Sequence, residues 1–259
     1  MPNNWSTEAL SKAVGNGLLE GFKEKSGTFI KPSDPLTRAQ MATIVNRAFG
    51  AKGTANLTGV KDVPQKAWYT AEMQKAVKMG TMKLDSKMRP NDPITRQEAF
   101  TVLARAFKMA DGTMANLEKF SDKEKVSSWA VSSLGALARV GYIQGADGKL
   151  NPLSKITRAE FAVVMDNMIK EYINKAGTVT QVHEGNLMIN VPDVILKDIT
   201  VKGDLILGDG IGEGNVSLEN VIVKGNLIAR GGGVDSIVIN GGSIEGKVVI
   251  AKVDGQIRV

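Results

Sequence analysis

Ile156-Thr157-Arg158-Ala159-Glu160 is one of three near-copies of a single string: Leu36-Thr37-Arg38-Ala39-Gln40 and Ile94-Thr95-Arg96-Gln97-Glu98 precede it at nearly equal spacing. Working outward, a Trp lies upstream of each copy, at Trp5, Trp68 and Trp129, and a Gly follows each Trp twelve positions later, at Gly17, Gly80 and Gly141. Self-similarity at a fixed period marks a repeat architecture, here with a unit of roughly 60 residues. After each Arg the apolar residues fall at helical spacing: Met41, Ile44, Val45 and Phe49; Ala99, Val102, Leu103 and Phe107; Phe161, Val164, Met165 and Ile169. After each Trp they do so again, as Leu10, Ala13 and Val14; Met73, Ala76 and Val77; Leu134, Leu137 and Ala138. Each repeat therefore reads as helix, loop, helix.

Much of the repeated string has a folding role. Gly17, Gly80 and Gly141 stand where a left-handed residue closes the first helix. Thr95 with Glu98, and Thr157 with Glu160, have capping-box spacing, in which side chains satisfy first-turn amides. The Arg differs, because a cation in the first turn opposes the helix dipole. Arg38, Arg96 and Arg158 thus require a compensating partner, either an internal carboxylate or an anionic ligand that also meets the free amides.

Composition divides the chain in two. Residues 1 to 175 carry 26 Lys/Arg against 17 Asp/Glu, a balance of +9, and residues 176 to 259 carry 7 against 10, a balance of −3. All 13 aromatics precede residue 174, whereas 15 of the 28 Gly fall after residue 175. At 42% hydrophobic the chain can build real cores, which argues against disorder. Without Cys there are no disulfides, thiolate metal sites or Cys nucleophiles. No apolar run approaches the roughly 20 residues of a membrane span, and the start at Met1-Pro2-Asn3-Asn4 lacks a signal-peptide pattern, so an exported form would have lost its leader.

The three repeats resemble S-layer homology domains, whose pattern runs Phe-x-Asp, Trp-Ala, a Gly-rich turn and a closing Ile-Thr-Arg-Ala-Glu. The third matches best, with Phe120-Ser121-Asp122, Trp129-Ala130, Gly141, Gly145, Asp147-Gly148, Pro152 and Ile156 to Glu160. The second keeps Asp62, Trp68 and Ile94 to Glu98 but has Lys83-Leu84-Asp85 in place of the second turn Gly. The first opens at Pro2-Asn3-Asn4-Trp5 without the upstream Phe-x-Asp, keeps Gly17, Gly21 and Phe29, and has Gln40 for the closing Glu. The resemblance implies a pseudo-threefold unit whose grooves bind a secondary cell-wall polysaccharide, often pyruvylated. Carried over, Arg38, Arg96 and Arg158 would pair with the sugar carboxylate, with Gln40, Glu98, Glu160, Gly17 and Gly141 completing the sites. Trp5, Trp68 and Trp129 either offer a face to the sugar ring or anchor the first helix in the core. Asp62 and Asp122 either cap that helix or accept a sugar hydroxyl. The +9 balance would equally suit nucleic acid, but the basic residues form no dense run or recognition-helix pattern.

From Val179 onward, short Val/Ile/Leu runs alternate with Gly and Asn turns. Val201-Lys202-Gly203-Asp204-Leu205 returns as Val223-Lys224-Gly225-Asn226-Leu227, and Gly246 follows Gly225 at almost the same interval. A rung of about 22 residues indicates a parallel β-helix or related β-solenoid of three or four turns. Catalytic chemistry finds little footing. His183 is the lone His, without partners for a triad or a His-rich metal site. The stretch Gly208 to Gly214 suits neither a phosphate loop nor, with Asp209 and Glu213 alone, more than a loose Ca²⁺ site.

The sequence thus predicts an α + β chain in two modules, with repeats at 1–52, 53–111 and 112–175 and a β-solenoid at 176–259. The function expected is non-catalytic, cofactor-free and metal-free anchoring to a bacterial cell wall through an anionic polysaccharide, without membrane insertion or nucleic-acid binding. Two rivals stand beside it: a lattice subunit whose β module self-associates, and an anchored polysaccharide-active enzyme with its site on the solenoid.

Overall fold

A computed structural model describes residues 1–182 and 184–258; the lone His183 and Val259 lie outside the described residues. The chain forms two compact units, one of Met1–Val45 with Thr54–Asp166, the other of Asn46–Gly53 with Asn167–Val259.

In the first unit the apolar periodicity is realised as three pairs of helices. These are α1 (Thr7–Gly15) with α2 (Arg38–Phe49), α3 (Thr70–Lys78) with α4 (Arg96–Ala106), and α5 (Val131–Arg139) with α6 (Arg158–Met168). Leu10, Met73 and Leu134 occupy one equivalent position of the first helices, and all three are fully buried. Gly17, Gly80 and Gly141 terminate those helices at φ of 70°, 73° and 81°. The amides of Leu18, Thr81 and Tyr142, one residue on, reach back to the carbonyls of Ala13, Ala76 and Leu137. This is the left-handed closure that the sequence predicts.

The three repeats meet in a closed ring. The Leu36 amide donates to Ile156 O, Ile156 to Ile94 O, and Ile94 to Leu36 O, at 2.9 to 3.1 Å. All three side chains are fully buried. Each is the first residue of the repeated string, so the string is both helix start and hub. Because each backbone link needs the next repeat, no single repeat can close its own polar groups. One element was not foreseen: a short hairpin, β1 (Phe22–Glu24) with β2 (Gly27–Phe29), fills the turn of the first repeat.

The second unit is a parallel β-solenoid of about three turns. One sheet stacks β3 (Glu171–Ile173), β5 (Leu187–Ile189), β8 (Leu205–Leu207), β10 (Leu227–Ala229) and β12 (Val248–Ile250). The other stacks β4 (Gly177–Val179), β6 (Val194–Lys197), β9 (Val216–Val223) and β11 (Ile237–Ile244), with β7 (Thr200–Val201) also on β9. Leu187 sits over Leu205, Leu205 over Leu227 and Leu227 over Val248, and the first of these three turns is the shortest. It falls short of the rung expected from the repeated Val-Lys-Gly string because the link from β5 to β6 is shorter than those from β8 to β9 and from β10 to β11.

Strands β3 and β4 were not read from the sequence, which placed the change of pattern at Val179. Their short runs, Glu171-Tyr172-Ile173 and Gly177-Thr178-Val179, are too brief and too mixed in polarity to show a period. What stacks best is the corner two residues ahead of each β5-type strand: the amides of Gly203, Gly225 and Gly246 each donate at 3.0 Å to the Gly carbonyl of the preceding turn, starting from Gly185. A Cβ on Gly225 would lie 2.3 Å from Asp204 Oδ1, so the side chain must be absent there. Beside the glycines runs a polar ladder. Asn186 Oδ1 accepts from the Asp204 amide, Asp204 Oδ1 from the Asn226 amide, and Asn226 Oδ1 from the Lys247 amide, at 2.6 to 2.9 Å.

The Gly208 to Gly214 stretch forms a 3-10 turn at Asp209–Ile211. Its two carboxylates are engaged, Asp209 with the buried Arg230 guanidinium and Glu213 with Lys252. Among the described residues no helix is long and apolar enough to cross a membrane.

Candidate functional site

The repeated string places its third residue at the start of α2, α4 and α6, and the structure answers how a cation is tolerated there. Arg38 Nη1 pairs with Glu98 Oε1 at 3.0 Å, and Arg96 Nη1 with Glu160 Oε1 at 2.6 Å. Each Arg thus meets the closing Glu of the next repeat. Arg158 should meet the closing residue of the first repeat, which is Gln40. Instead Arg158 Nη2 donates to Glu20 O at 2.6 Å, and its guanidinium lies 4.8 Å from the centre of the Phe22 ring. The Nε atoms follow one rule in all three: Arg38 donates to Met88 O, Arg96 to Leu150 O and Arg158 to Ile30 O, at 2.7 to 2.8 Å.

The first-turn amides are engaged as well. Arg38 and Ala39 donate to Asp92 O and Pro90 O, Arg96 and Gln97 to Ser154 O and Pro152 O, Arg158 and Ala159 to Asp34 O and Pro32 O. Of the two partners the sequence allowed, the internal carboxylate is realised for Arg38 and Arg96, whereas Arg158 is held by backbone carbonyls and the Phe22 ring. Burial follows: the side chains of Arg38 and Arg96 are 16% and 12% exposed, and Arg158 as a residue only 3%. That burial lowers the pKa of all three guanidinium groups, against the pull of Glu98 on Arg38, Glu160 on Arg96 and Asp34 on Arg158.

The closing residues also cap. Glu98 and Glu160 accept the amides of Thr95 and Thr157 at 2.9 and 2.8 Å, and Gln40 does the same for Thr37 at 3.1 Å. Gln40 therefore keeps the cap and omits the charge. Burial pushes the Glu98 carboxyl upward, but the Thr95 amide and hydroxyl, with Arg38 and Arg89, outweigh it and hold Glu98 below the usual range.

Asp62 and Asp122 neither cap a helix nor face outward. Asp62 accepts the amides of Met88 and Arg89, and Asp122 those of Leu150 and Asn151, all at 2.8 Å. The carboxylate clamps the turn ahead of each string in place of a helix end. Nothing in the spacing of Asp62 to Met88 could have announced this, since the two are distant in sequence and belong to no common element.

The tryptophans behave otherwise. Trp5, Trp68 and Trp129 are 65%, 62% and 53% exposed. Of the two roles allowed them, core anchor is excluded, that place being held by Leu10, Met73 and Leu134. Trp68 packs edge-on against Tyr69 at 5.4 Å, and the Tyr69 hydroxyl accepts from Asn91 in the loop before its own string. Ser127, two positions before Trp129, exchanges hydrogen bonds with Gln97, the neighbour of Arg96. A Trp-bearing helix entry is thus tied to a string in two of the three repeats. Gln97 is a positioning residue that the sequence reading missed, because its partner lies in the following repeat. Among the described residues no cluster of carboxylates or His suited to a metal ion is present.

These features define a three-repeat surface-anchoring module. The S-layer homology domain profile matches residues 1–42, 61–100 and 119–162. The chain belongs to the S-layer homology domain proteins, with three such domains followed by a β-solenoid, and is a protein of the cell surface and cell wall.

Among its relatives, a surface-layer 125 kDa protein of Lysinibacillus sphaericus is 35% identical over 176 residues, covering 65% of this chain and 14% of that protein. The exoglucanase XynX of Acetivibrio thermocellus is 28% identical over 177 residues, 66% of this chain and 16% of the enzyme. An S-layer protein of Bacillus licheniformis is 24% identical over 263 residues, 98% of this chain and 28% of that protein. The chain therefore spans a minor part of the length of each of these relatives.

Proposed function

We propose that the helical unit holds its protein on the wall by binding an anionic, pyruvylated secondary cell-wall polysaccharide, and that the chain is not an enzyme. The observation carrying this is the trio of exposed tryptophans at equivalent helix entries. Folding alone gives no reason to leave three large apolar rings in water, whereas a pyranose face stacks on such rings and the indole N–H can donate to a hydroxyl. Trp5, Trp68 and Trp129 are the contact residues in this reading. Arg38, Arg96 and Arg158, largely buried and engaged within the ring, meet the sugar acid in this reading only at the exposed edge of their guanidinium groups. Gln40, Glu98, Glu160, Gly17 and Gly141 shape the groove walls through the caps and helix ends already described. The enzyme relative matches through the repeats and not the solenoid, which supports anchoring as the shared element.

Co-sedimentation of the chain with purified walls tests this. Binding is expected to native walls, to fall on removal of the polymer or of its pyruvate, and to weaken with salt, since exposed charges are screened over about 8 Å at physiological ionic strength. Equal sedimentation with polymer-stripped walls would refute it.

A second reading, self-association through the β module, is favoured by one observation. Val238 and Ile239 on β11 and Val248 and Ile250 on β12 are exposed apolar side chains. Exposed apolar side chains gathered on one surface favour association. Light scattering against concentration should then show growth of large species, and a constant mass would exclude it.

A further inference from the structure

The residue two places ahead of each string differs in charge among the repeats. In the first and second it is an aspartate followed by Pro, as Asp34-Pro35 and Asp92-Pro93, and in the third the pair is Ser154-Lys155. The ring sets each pair beside an Arg of another repeat. Pro93 bridges to Thr37, Lys155 to Thr95 and Pro35 to Thr157, and the amides of Arg38, Arg96 and Arg158 donate to Asp92 O, Ser154 O and Asp34 O. Asp92 thus flanks Arg38, Asp34 flanks Arg158, and Ser154 flanks Arg96.

Asp34, Asp92 and Ser154 are all exposed. Among the described residues the carboxylates of Asp34 and Asp92 enter no hydrogen bond or close ion pair. Glu98 and Glu160 differ, each being taken up by an Arg and by the amide that it caps. Against the burial that disfavours all three charged guanidinium groups, Glu98, Asp92 and Asp62 favour Arg38, Glu160 and the amide-bound Asp122 favour Arg96, and Asp34 favours Arg158. The turn flanking Arg96, Asn151 to Lys155, contains no acid, and Lys155 adds an exposed cation where the other repeats have Pro.

The tryptophans follow the same order. Trp68 reaches the Arg38 flank through Tyr69 and Asn91, the neighbour of Asp92, and Trp129 reaches Arg96 through Ser127 and Gln97. Each Trp therefore goes with the Arg of the preceding repeat, which assigns Trp5 to Arg158, the most covered of the three guanidinium groups, against the Phe22 ring.

We propose that the residue at positions 34, 92 and 154 decides which of the three places takes the acid group of the polymer. The place formed by Trp129, Arg96 and Ser154, with Lys155 beside it, receives the carboxylate. Asp92 and Asp34 turn the places of Trp68 and Trp5 towards uncharged sugar units, because a like charge set beside an incoming anion rejects it. This inference rests on the polysaccharide reading above and gives the repeats different parts in it.

Three Trp are present, so NMR of the indole N–H groups reads each place separately, with single Phe variants of Trp5, Trp68 and Trp129 assigning the signals. The probes are a pyruvylated methyl hexoside and its methyl ester, in which the acid is uncharged. The Trp129 indole should respond to the acid with an affinity at least about tenfold above that at Trp5 or Trp68, and the ester should bring the three within about twofold. Ser154→Asp should weaken the acid at Trp129 about tenfold without changing the ester, and Asp92→Ser should strengthen the acid at Trp68 alone. Co-sedimentation with purified walls covers a glycoside too weak to titrate: folded Ser154→Asp should lose about tenfold in wall affinity. Equal responses of the three indoles to the acid, or walls held equally by the parent and folded Ser154→Asp, overturn the assignment while wall binding itself stands. A parent chain with no indole response and no sedimentation removes the polysaccharide reading, and this inference with it.

Discussion

The two units use repetition in opposite ways. In the helical unit three copies close on one another, so that Leu36, Ile94 and Ile156 exchange backbone hydrogen bonds in a ring and every copy has both neighbours. In the solenoid the turns stack in a line, each Gly and Asn bonding only the turn before and after. A ring fixes its number of members and spreads a local fault through all of them, whereas a stack tolerates faults locally.

Substitutions that remove one link from each unit should separate the two regimes. Arg96→Ala breaks a pair with Glu160 in which the guanidinium is largely buried. Loss of one partner of such a pair costs about 3–5 kcal/mol, and hydrogen exchange should show protection falling across all three repeats together. Asn226→Ala removes one member of the solenoid ladder, bonded to Asp204 and Lys247. It should cost about 1 kcal/mol, with protection lost only in the adjoining turns. Equal spread in the two units would erase the distinction between them.

A smaller change should sharpen the ring. Gln40→Glu keeps the cap on Thr37 and gives Arg158 the carboxylate that Arg38 and Arg96 already have. The variant should be more stable by about 1.5–3 kcal/mol, the usual range for a hydrogen bond to a charged group, read as a higher midpoint in denaturant. A lower midpoint would mean that the Glu20 carbonyl and the Phe22 ring already suffice.

The smallest expected effect is on acid stability. Glu98 is held below its ordinary range in the folded state, so it binds fewer protons folded than unfolded. Its contribution is present above the unfolded carboxyl value, about 4.3, and is lost as pH falls through the lower folded value. Glu98→Gln should flatten that part of the stability-against-pH curve, and an unchanged slope would remove Glu98 from the account.

How much of this could be read from residues alone depends on the range of the interaction. The helices, their glycine ends and the capping boxes are local, closed within about one helical turn, and the sequence shows them. The solenoid is legible where the Val-Lys-Gly string recurs from one turn to the next, and it fails at β3 and β4, whose very short strands lie ahead of the first copy of that string. The candidate site is half legible. That Arg38, Arg96 and Arg158 need partners follows from the helix dipole, but which carboxylate serves is set by ring closure between one repeat and the next. The clamps of Asp62 and Asp122 stay hidden for the same reason. The exposure of the tryptophans could not be read either, because a Trp opening an amphipathic helix suits a core and a surface equally.

The central claim is a division of labour: the arginines close the ring, and Trp5, Trp68 and Trp129 meet the wall. It is tested most directly by replacing the three tryptophans together with Ala and measuring wall affinity and melting temperature on the same sample. The account predicts an intact cooperative melt and wall affinity reduced at least about tenfold, as loss of exposed aromatic anchors implies. A folded triple variant that holds walls within about twofold of the parent would contradict it.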